Sequence, residues 1–189
     1  DYRAAFAAGG GEVVDRVDFS SSGGVLFADL ARRLLASKPD GILLLANAVD
    51  VAMLCQHLRK LNASIPLATS EWAATEQLIE VGGRSVEGIV IAQFLDRQST
   101  QPAFLSFRQN YLDRFGKLPG FAGVTAFDAT NAVLEAIENQ APGQSLKQAL
   151  LTRQTFPGTQ APVVFDAFGD ASHETFLTTV KDGSFVRLQ

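Results

Sequence analysis

Glu71 and the only tryptophan, Trp72, stand side by side just after a short apolar stretch, residues 65–68. If that stretch is a strand of an open parallel sheet, both residues lie where ligands bind, outside the carboxyl ends of the strands. The Glu71 carboxylate would then hold a ligand group non-covalently. As a first-turn acid it would also complement a helix dipole. Asn47 follows the apolar run 42–45 in the same way. With Asp50 three residues on, Asn47 is placed to cap the next helix. A cap can also touch a ligand, so Asn47, Glu71 and Trp72 form one candidate rim.

Catalytic constellations are missing from the sequence. There is no Walker phosphate loop. Gly9-Gly10-Gly11 follows a helical pattern and enters an extended one, the reverse of the order a dinucleotide fingerprint needs. Ser85 sits in Gly83-Arg84-Ser85-Val86-Glu87-Gly88, which lacks the spacing of a hydrolase elbow, and is expected at the start of a strand. Cys55 and His57 are two apart on a helix and face different ways. Cys55 reads as a small core hydrophobe and His57 as a half-exposed helix residue. Asp166, Asp170 and His173 fall in one loop without the alternating oxygen ligands of an EF-hand. That loop reads as a polar turn.

The elements that position the candidate rim follow from periodicity. Residues 2–8 end a helix at the glycine run. Residues 13–19 read as a strand and 20–24 as a solvent-facing serine–glycine loop. Phe27, Leu30, Leu34 and Leu35 mark a helix. The continuous run 42–45 fits a strand buried on both faces. Val51, Leu54, Cys55, Leu58 and Leu61 mark the next helix. Residues 65–68 form a strand, 72–81 a helix, and 86–92 a further strand. This alternation predicts an α/β fold with a parallel sheet and helices on both faces. Further on, Phe104, Phe107, Tyr111 and Phe115 share one helix face. Val124, Phe127, Val133, Leu134 and Ile137 mark another. A short helix, 145–152, and strands at 163–165 and 176–180 follow. Lys181-Asp182-Gly183 signals a hairpin into 185–188.

Composition bounds the partners. The chain has 189 residues, 47% apolar, enough for a sizeable core. Sixteen basic and 20 acidic residues give a net charge of −4, which argues against a nucleic-acid surface. No apolar run approaches the roughly 18 residues of a membrane span. One cysteine and two histidines are too few for a Cys/His structural zinc site; with the phosphate and dinucleotide motifs missing too, neither a metal nor a cofactor is expected.

Several phrases in order resemble a known family. They are Gly10-Gly11-Glu12-Val13-Val14, Phe27-Ala28-Asp29-Leu30 and Pro39-Asp40-Gly41-Ile42, then Gln56-His57-Leu58-Arg59-Lys60-Leu61 and Val86-Glu87-Gly88. Phe104, Phe107-Arg108, Tyr111, Arg114-Phe115-Gly116 and Pro119 follow, then Phe127-Asp128-Ala129. The last are Phe156-Pro157-Gly158, Phe165-Asp166 with Gly169-Asp170, and Asp182-Gly183 with Phe185-Val186. Together they are similar to the solute-binding proteins of branched-chain amino-acid ABC transporters, the type I bilobal periplasmic family.

The resemblance implies two α/β lobes joined by three crossovers that close on a ligand. This chain resembles the C-terminal portion, without most of the first lobe. Residues 1–96 would be a second-lobe α/β unit, incomplete at its start. Residues 97–170 resemble first-lobe cover and crossover helices, and 171–189 strands returning to the second lobe. Glu71 falls where family members hold a ligand ammonium. Asn47 stands where an aromatic wall is usual. The implied function is binding of a small polar ligand, an amino acid or relative, for an ABC permease, in the periplasm or outside the cell, with no enzyme activity. The alternatives are a ligand-sensing domain of the same fold or a flavodoxin-like enzyme. The aromatic helix faces are expected to need a cover: the missing first lobe or a second copy of the chain, with pairing or exchange between copies favoured.

Overall fold

The apolar run after Gly41 forms β1 (Ile42–Leu44), whose ends are buried. β2 (Leu67–Ser70) lies beside it in parallel, with Ile42 opposite Leu67 and Leu44 opposite Thr69. β2 begins two residues later than the pattern predicts. Pro66 has no N–H to give to a ladder, although its carbonyl accepts from Ile42 at 3.0 Å. In this computed structural model, residues 2–24, 26–172 and 174–188 are described. His173 therefore lies outside the described residues.

In chain order the helices are α1 (Tyr2–Ala8), α2 (Phe27–Ala36), α3 (Ala48–Leu61), α4 (Glu76–Gly82), α5 (Pro102–Phe115), α6 (Phe121–Glu138) and α7 (Leu146–Arg153). The remaining strands are β3 (Val90–Gln93), β4 (Thr155–Phe156), β5 (Val163–Phe165), β6 (Ala171–Ser172), β7 (Phe176–Lys181) and β8 (Ser184–Arg187). One sheet has the order β1-β2-β3-β7-β8, the other β4-β5-β6. The α/β class is as the alternation of elements implies.

The chain divides into two compact units. The first runs up to Ile91 and takes in Thr179–Ser184. Its core joins Ile42, Leu44 and Leu67 of the sheet to Val51, Leu54, Cys55 and Leu58 of α3 and Leu78 of α4. α3 packs against α2 and α4. The second unit comprises Ala92–Thr178 and the residues from Phe185 onward. Leu95, Phe104, Phe107 and Val124 form one of its cores; Ala132, Ala136, Ala149, Phe156 and Val163 form another.

Several expectations are corrected. Residues 13–19 form no strand. Val13 and Val14 are exposed, and Arg16 pairs with Asp18 at 2.9 Å on the surface. β-propensity reports packing on cross-strand neighbours, and among the described residues this segment pairs with no strand; Phe19 packs edge-on against Phe27. The helix expected at 72–81 is split. A 3-10 turn, Glu71–Ala73, is closed by Ala74 N–H donating to the Glu71 carbonyl at 2.8 Å, and α4 starts afresh after extended Thr75. The strand expected at 86–92 begins only at Val90, because Gly83–Val86 form a second 3-10 turn and Gly88 has a φ of 75°. Ser85 therefore sits in that turn.

On α6 the buried residues are Val124, Ala132 and Ala136, while Phe127, Leu134 and Ile137 are exposed. The helix is apolar around much of its girth, so periodicity alone does not choose the inward side. Small alanines let α6 sit close to α7 and β5. Phe107 is buried, and the Phe127 ring lies against it with centroids 4.5 Å apart.

Candidate functional site

The site is built on the carboxyl ends of β1 and β2. Buried Thr69 donates its hydroxyl to the Leu44 carbonyl at 2.7 Å, tying the two strand ends together. Three residues after β1, Asn47 caps α3: its Oδ1 accepts from the Asp50 N–H at 3.0 Å. Directly after β2, Glu71 opens the 3-10 turn. The register that sets Leu44 opposite Thr69 thus brings Asn47, Glu71 and Trp72 to the same edge of the parallel pair.

Their surroundings differ. Glu71 is 7% exposed and Trp72 is 69% exposed. A carboxylate that buried persists only with polar partners. The large exposed ring next to it offers an apolar and π-rich surface. Asn47 is more committed than its sequence position suggests. Its Nδ2 donates to Asp50 Oδ2 at 2.7 Å, so one of its two amide hydrogens is engaged as well as its oxygen.

Sequence reasoning named Asp50 only as part of the cap and missed the contributions of Ser21 and Thr75. Asp50 is buried and receives a second donor, the Ser21 hydroxyl, on the same Oδ2. The serine–glycine loop is exposed as expected, yet Ser21 fastens it to the first turn of α3. The Thr75 hydroxyl is buried and makes no hydrogen bond among the described residues. Only Asp50 left a readable signal, the Asn-x-x-Asp spacing of a cap. Ser21 is 29 residues away along the chain.

The other candidates do not assemble. Cys55 and His57 both lie on α3, and burial pushes the Cys55 thiol up to about 12, against a smaller opposing pull from Arg59. A neutral buried thiol is a poor nucleophile. Asp166 is occupied by its own turn. It accepts from Asp170 N–H at 2.9 Å and Phe168 N–H at 2.8 Å, and these bonds hold its carboxyl below the usual value of 3.8. No group of three or more His, Cys, Asp or Glu among the described residues could hold a metal ion.

The second unit contains an open cavity of about 420 Å³, lined by Phe94, Asp96, Gln160, Phe176 and Arg187 among others. Three of its polar residues are already engaged with one another. Arg187 pairs with Asp96 at 3.4 Å, and Gln160 exchanges two hydrogen bonds with the Asp96 backbone. A ligand site needs polar groups free to converge on the ligand, and the rim of the first unit has the stronger case.

A family model described as periplasmic binding protein matches residues 1–184. The chain belongs to the periplasmic binding protein family. The members it resembles in structure include a leucine-binding protein from Thermotoga maritima, at 25% identity and a TM-score of 0.86, covering 98% of this chain and 53% of that one. An extracellular ligand-binding receptor from Rhodopseudomonas palustris shares the fold at 23% identity and a TM-score of 0.85, covering 100% and 58%. So does an R. palustris solute-binding protein solved with benzoate, at 19% identity and a TM-score of 0.83, covering 99% and 52%. The chain spans about half the length of these periplasmic binding proteins. No curated protein matches its sequence. No helix among the described residues is long and apolar enough to cross a membrane.

Proposed function

We propose that this chain is part of a solute-binding protein that captures a small polar ligand, an amino acid or a related compound, outside the cytoplasmic membrane and delivers it to an ABC permease. The observation that carries this reading is the rim itself. A buried carboxylate, Glu71, and an exposed indole, Trp72, follow β2, while Asn47 follows the paired strand β1. Capture is non-covalent, and no residue of the rim acts as a catalyst. It ends in a closing movement, a shift from open to closed driven by contacts made only when closed.

The ligand class follows from the chemistry of the rim. Relatives with the same fold include one named for leucine and one holding benzoate, so the fold alone does not choose. Glu71 is an acceptor, and a buried carboxylate favours a ligand carrying an ammonium or another donor over a bare carboxylate. Trp72 takes the apolar or cationic part of that ligand. Asn47 has one amide hydrogen to offer it.

The same reading assigns residues 1–96 to the second lobe, 97–170 to cover and crossover helices, and 171–189 to strands returning to the second lobe. It also gives a role to the exposed side of α6. Phe127, Leu134 and Ile137 form the surface that the rest of the family fold covers, supplied by a first lobe or by a second copy of the chain. Fully burying each such side chain contributes roughly 1.5–3 kcal/mol. The test is calorimetric titration of the full-length protein with L-leucine, L-glutamate, L-arginine and benzoate. Binding of an amino acid in preference to benzoate is expected. Binding of benzoate alone would overturn the assignment of Glu71 as an ammonium site.

A further inference from the structure

Asp50, in the first turn of α3, is 7% exposed. Two side chains donate to one of its carboxylate oxygens, Oδ2: Asn47 Nδ2 at 2.7 Å, and the hydroxyl of exposed Ser21. The Asp50 backbone N–H donates in turn to Asn47 Oδ1 at 3.0 Å. Both ends of the Asn47 amide therefore meet groups whose roles are fixed, since a backbone N–H only donates and a carboxylate only accepts. Turning the amide over would set oxygen against carboxylate and N–H against N–H. Oδ1 has its hydrogen bond. The second Nδ2 hydrogen has none among the described residues, and Asn47 is exposed. This end of the rim holds out a hydrogen-bond donor whose position is set.

We propose that Ser21 and Asp50 hold Asn47 as a donor beside the Glu71 acceptor, and that this pairing selects an amino acid whose side chain carries a neutral carbonyl, a carboxamide above all. This selection rests on the proposed capture of an amino acid at the rim. Ser21 is the positioning residue. Its hydroxyl is the second donor to Oδ2, and a buried carboxylate keeps its orientation only while its donors hold it. β1 and β2 are parallel neighbours, so the segments that carry Asn47 and Glu71 leave the sheet roughly 5 Å apart. One amino acid spans that gap, with its ammonium on Glu71 and a side-chain acceptor on Asn47. An aliphatic side chain would cover the Asn47 N–H without bonding it, at the loss of a hydrogen bond to water. A side-chain carboxylate would bond it, but would add a third negative charge to those of Asp50 and Glu71. A neutral carbonyl avoids both penalties.

The test compares ligands of nearly one shape: L-asparagine, L-leucine and L-aspartate, each titrated calorimetrically into the full-length protein. Asparagine should bind most tightly, by about tenfold over leucine, the worth of a well-placed hydrogen bond. Aspartate should also bind more weakly than asparagine. Ser21→Ala should remove most of the preference for asparagine and leave leucine affinity unchanged. Asn47→Ser, which keeps a capping oxygen but has no amide hydrogen, should remove the preference entirely. Leucine binding as tightly as asparagine would overturn this selection while leaving capture of an amino acid at the rim intact. A Ser21→Ala protein that weakens both ligands equally, or neither, would contradict the positioning role of Ser21. Binding of none of the three would overturn the capture reading itself, and this selection with it.

Discussion

Asn47 and Asp50 grip each other twice. The backbone N–H of Asp50 donates to Asn47 Oδ1 at 3.0 Å, and Asn47 Nδ2 donates back to Asp50 Oδ2 at 2.7 Å. The cap of α3 is thereby also the support of a buried carboxylate beside the candidate rim. Asn47→Ala removes the cap and one of the donors to that carboxylate. A loss of about 1–2 kcal/mol is expected, read as a lower midpoint in urea unfolding. Asn47→Ser, which keeps a capping oxygen, should recover most of it.

Leu44 is a buried end of β1, opposite Thr69. Leu44→Asp places a charge there with no partner of opposite sign provided. The cost is several kcal/mol, enough to unfold the first unit. Loss of the cooperative transition by circular dichroism checks this.

Gly158 shows where the sequence rule is steric. A Cβ at this position would lie 2.2 Å from the Ala161 carbonyl oxygen, and backbone cannot swing away as a side-chain tip can. The neighbouring Thr159 is fixed to α6 by its N–H and hydroxyl, at 2.9 and 3.1 Å from the Asp128 carboxylate. Gly158→Ala should force the loop off Asp128 and destabilise the second unit by about 1–3 kcal/mol, as overpacking does. A fall in melting temperature, with no change in the first unit's hydrogen exchange, is the expected result.

Cys55 is the only thiol of the chain and is fully buried. With its pKa pushed up to about 12, the thiol stays protonated at every pH in ordinary use. A thiol-specific reagent at pH 8 should label it only after unfolding. Fast labelling of the native protein would contradict the burial of α3.

Asp166 makes the turn between β5 and β6 acid-sensitive. Its carboxyl is held below 3.8 by backbone N–H groups, from Asp170 first and then Phe168. A depressed folded value means the stabilisation is present above the unfolded value and is lost as pH falls through the folded one. The turn should therefore be intact at neutral pH and loosen only below about 4. A carboxyl titration by NMR should place its midpoint under the usual carboxylate value, and Asp166→Asn should abolish the acid transition.

Much of the first unit was legible because its signals are local. The run 42–45 is apolar throughout, and the cap at Asn47 is a three-residue spacing. Asn47 and Glu71 stand just past two strand ends, as the apolar runs imply. Other features depend on distant partners. Residues 13–19 carry β-branched side chains but find no strand to pair with. The start of β2 was misplaced by the missing N–H of Pro66. The inward side of α6 was misread because alanines do the packing and larger residues face out. Ser21 joins Asp50 across 29 residues, and no local pattern announces that.

The account stands most directly on Glu71. Calorimetry on the full-length protein, comparing wild type with Glu71→Gln, uses the amino acid that binds wild type most tightly. Glutamine keeps the shape and removes the charge. If Glu71 holds the ligand's ammonium, affinity should fall by about tenfold or more, the worth of a hydrogen bond to a charged group, while the melting temperature of the unliganded protein changes little. Equal affinity in the two proteins would contradict the account and leave Glu71 as the first-turn acid of the segment after β2.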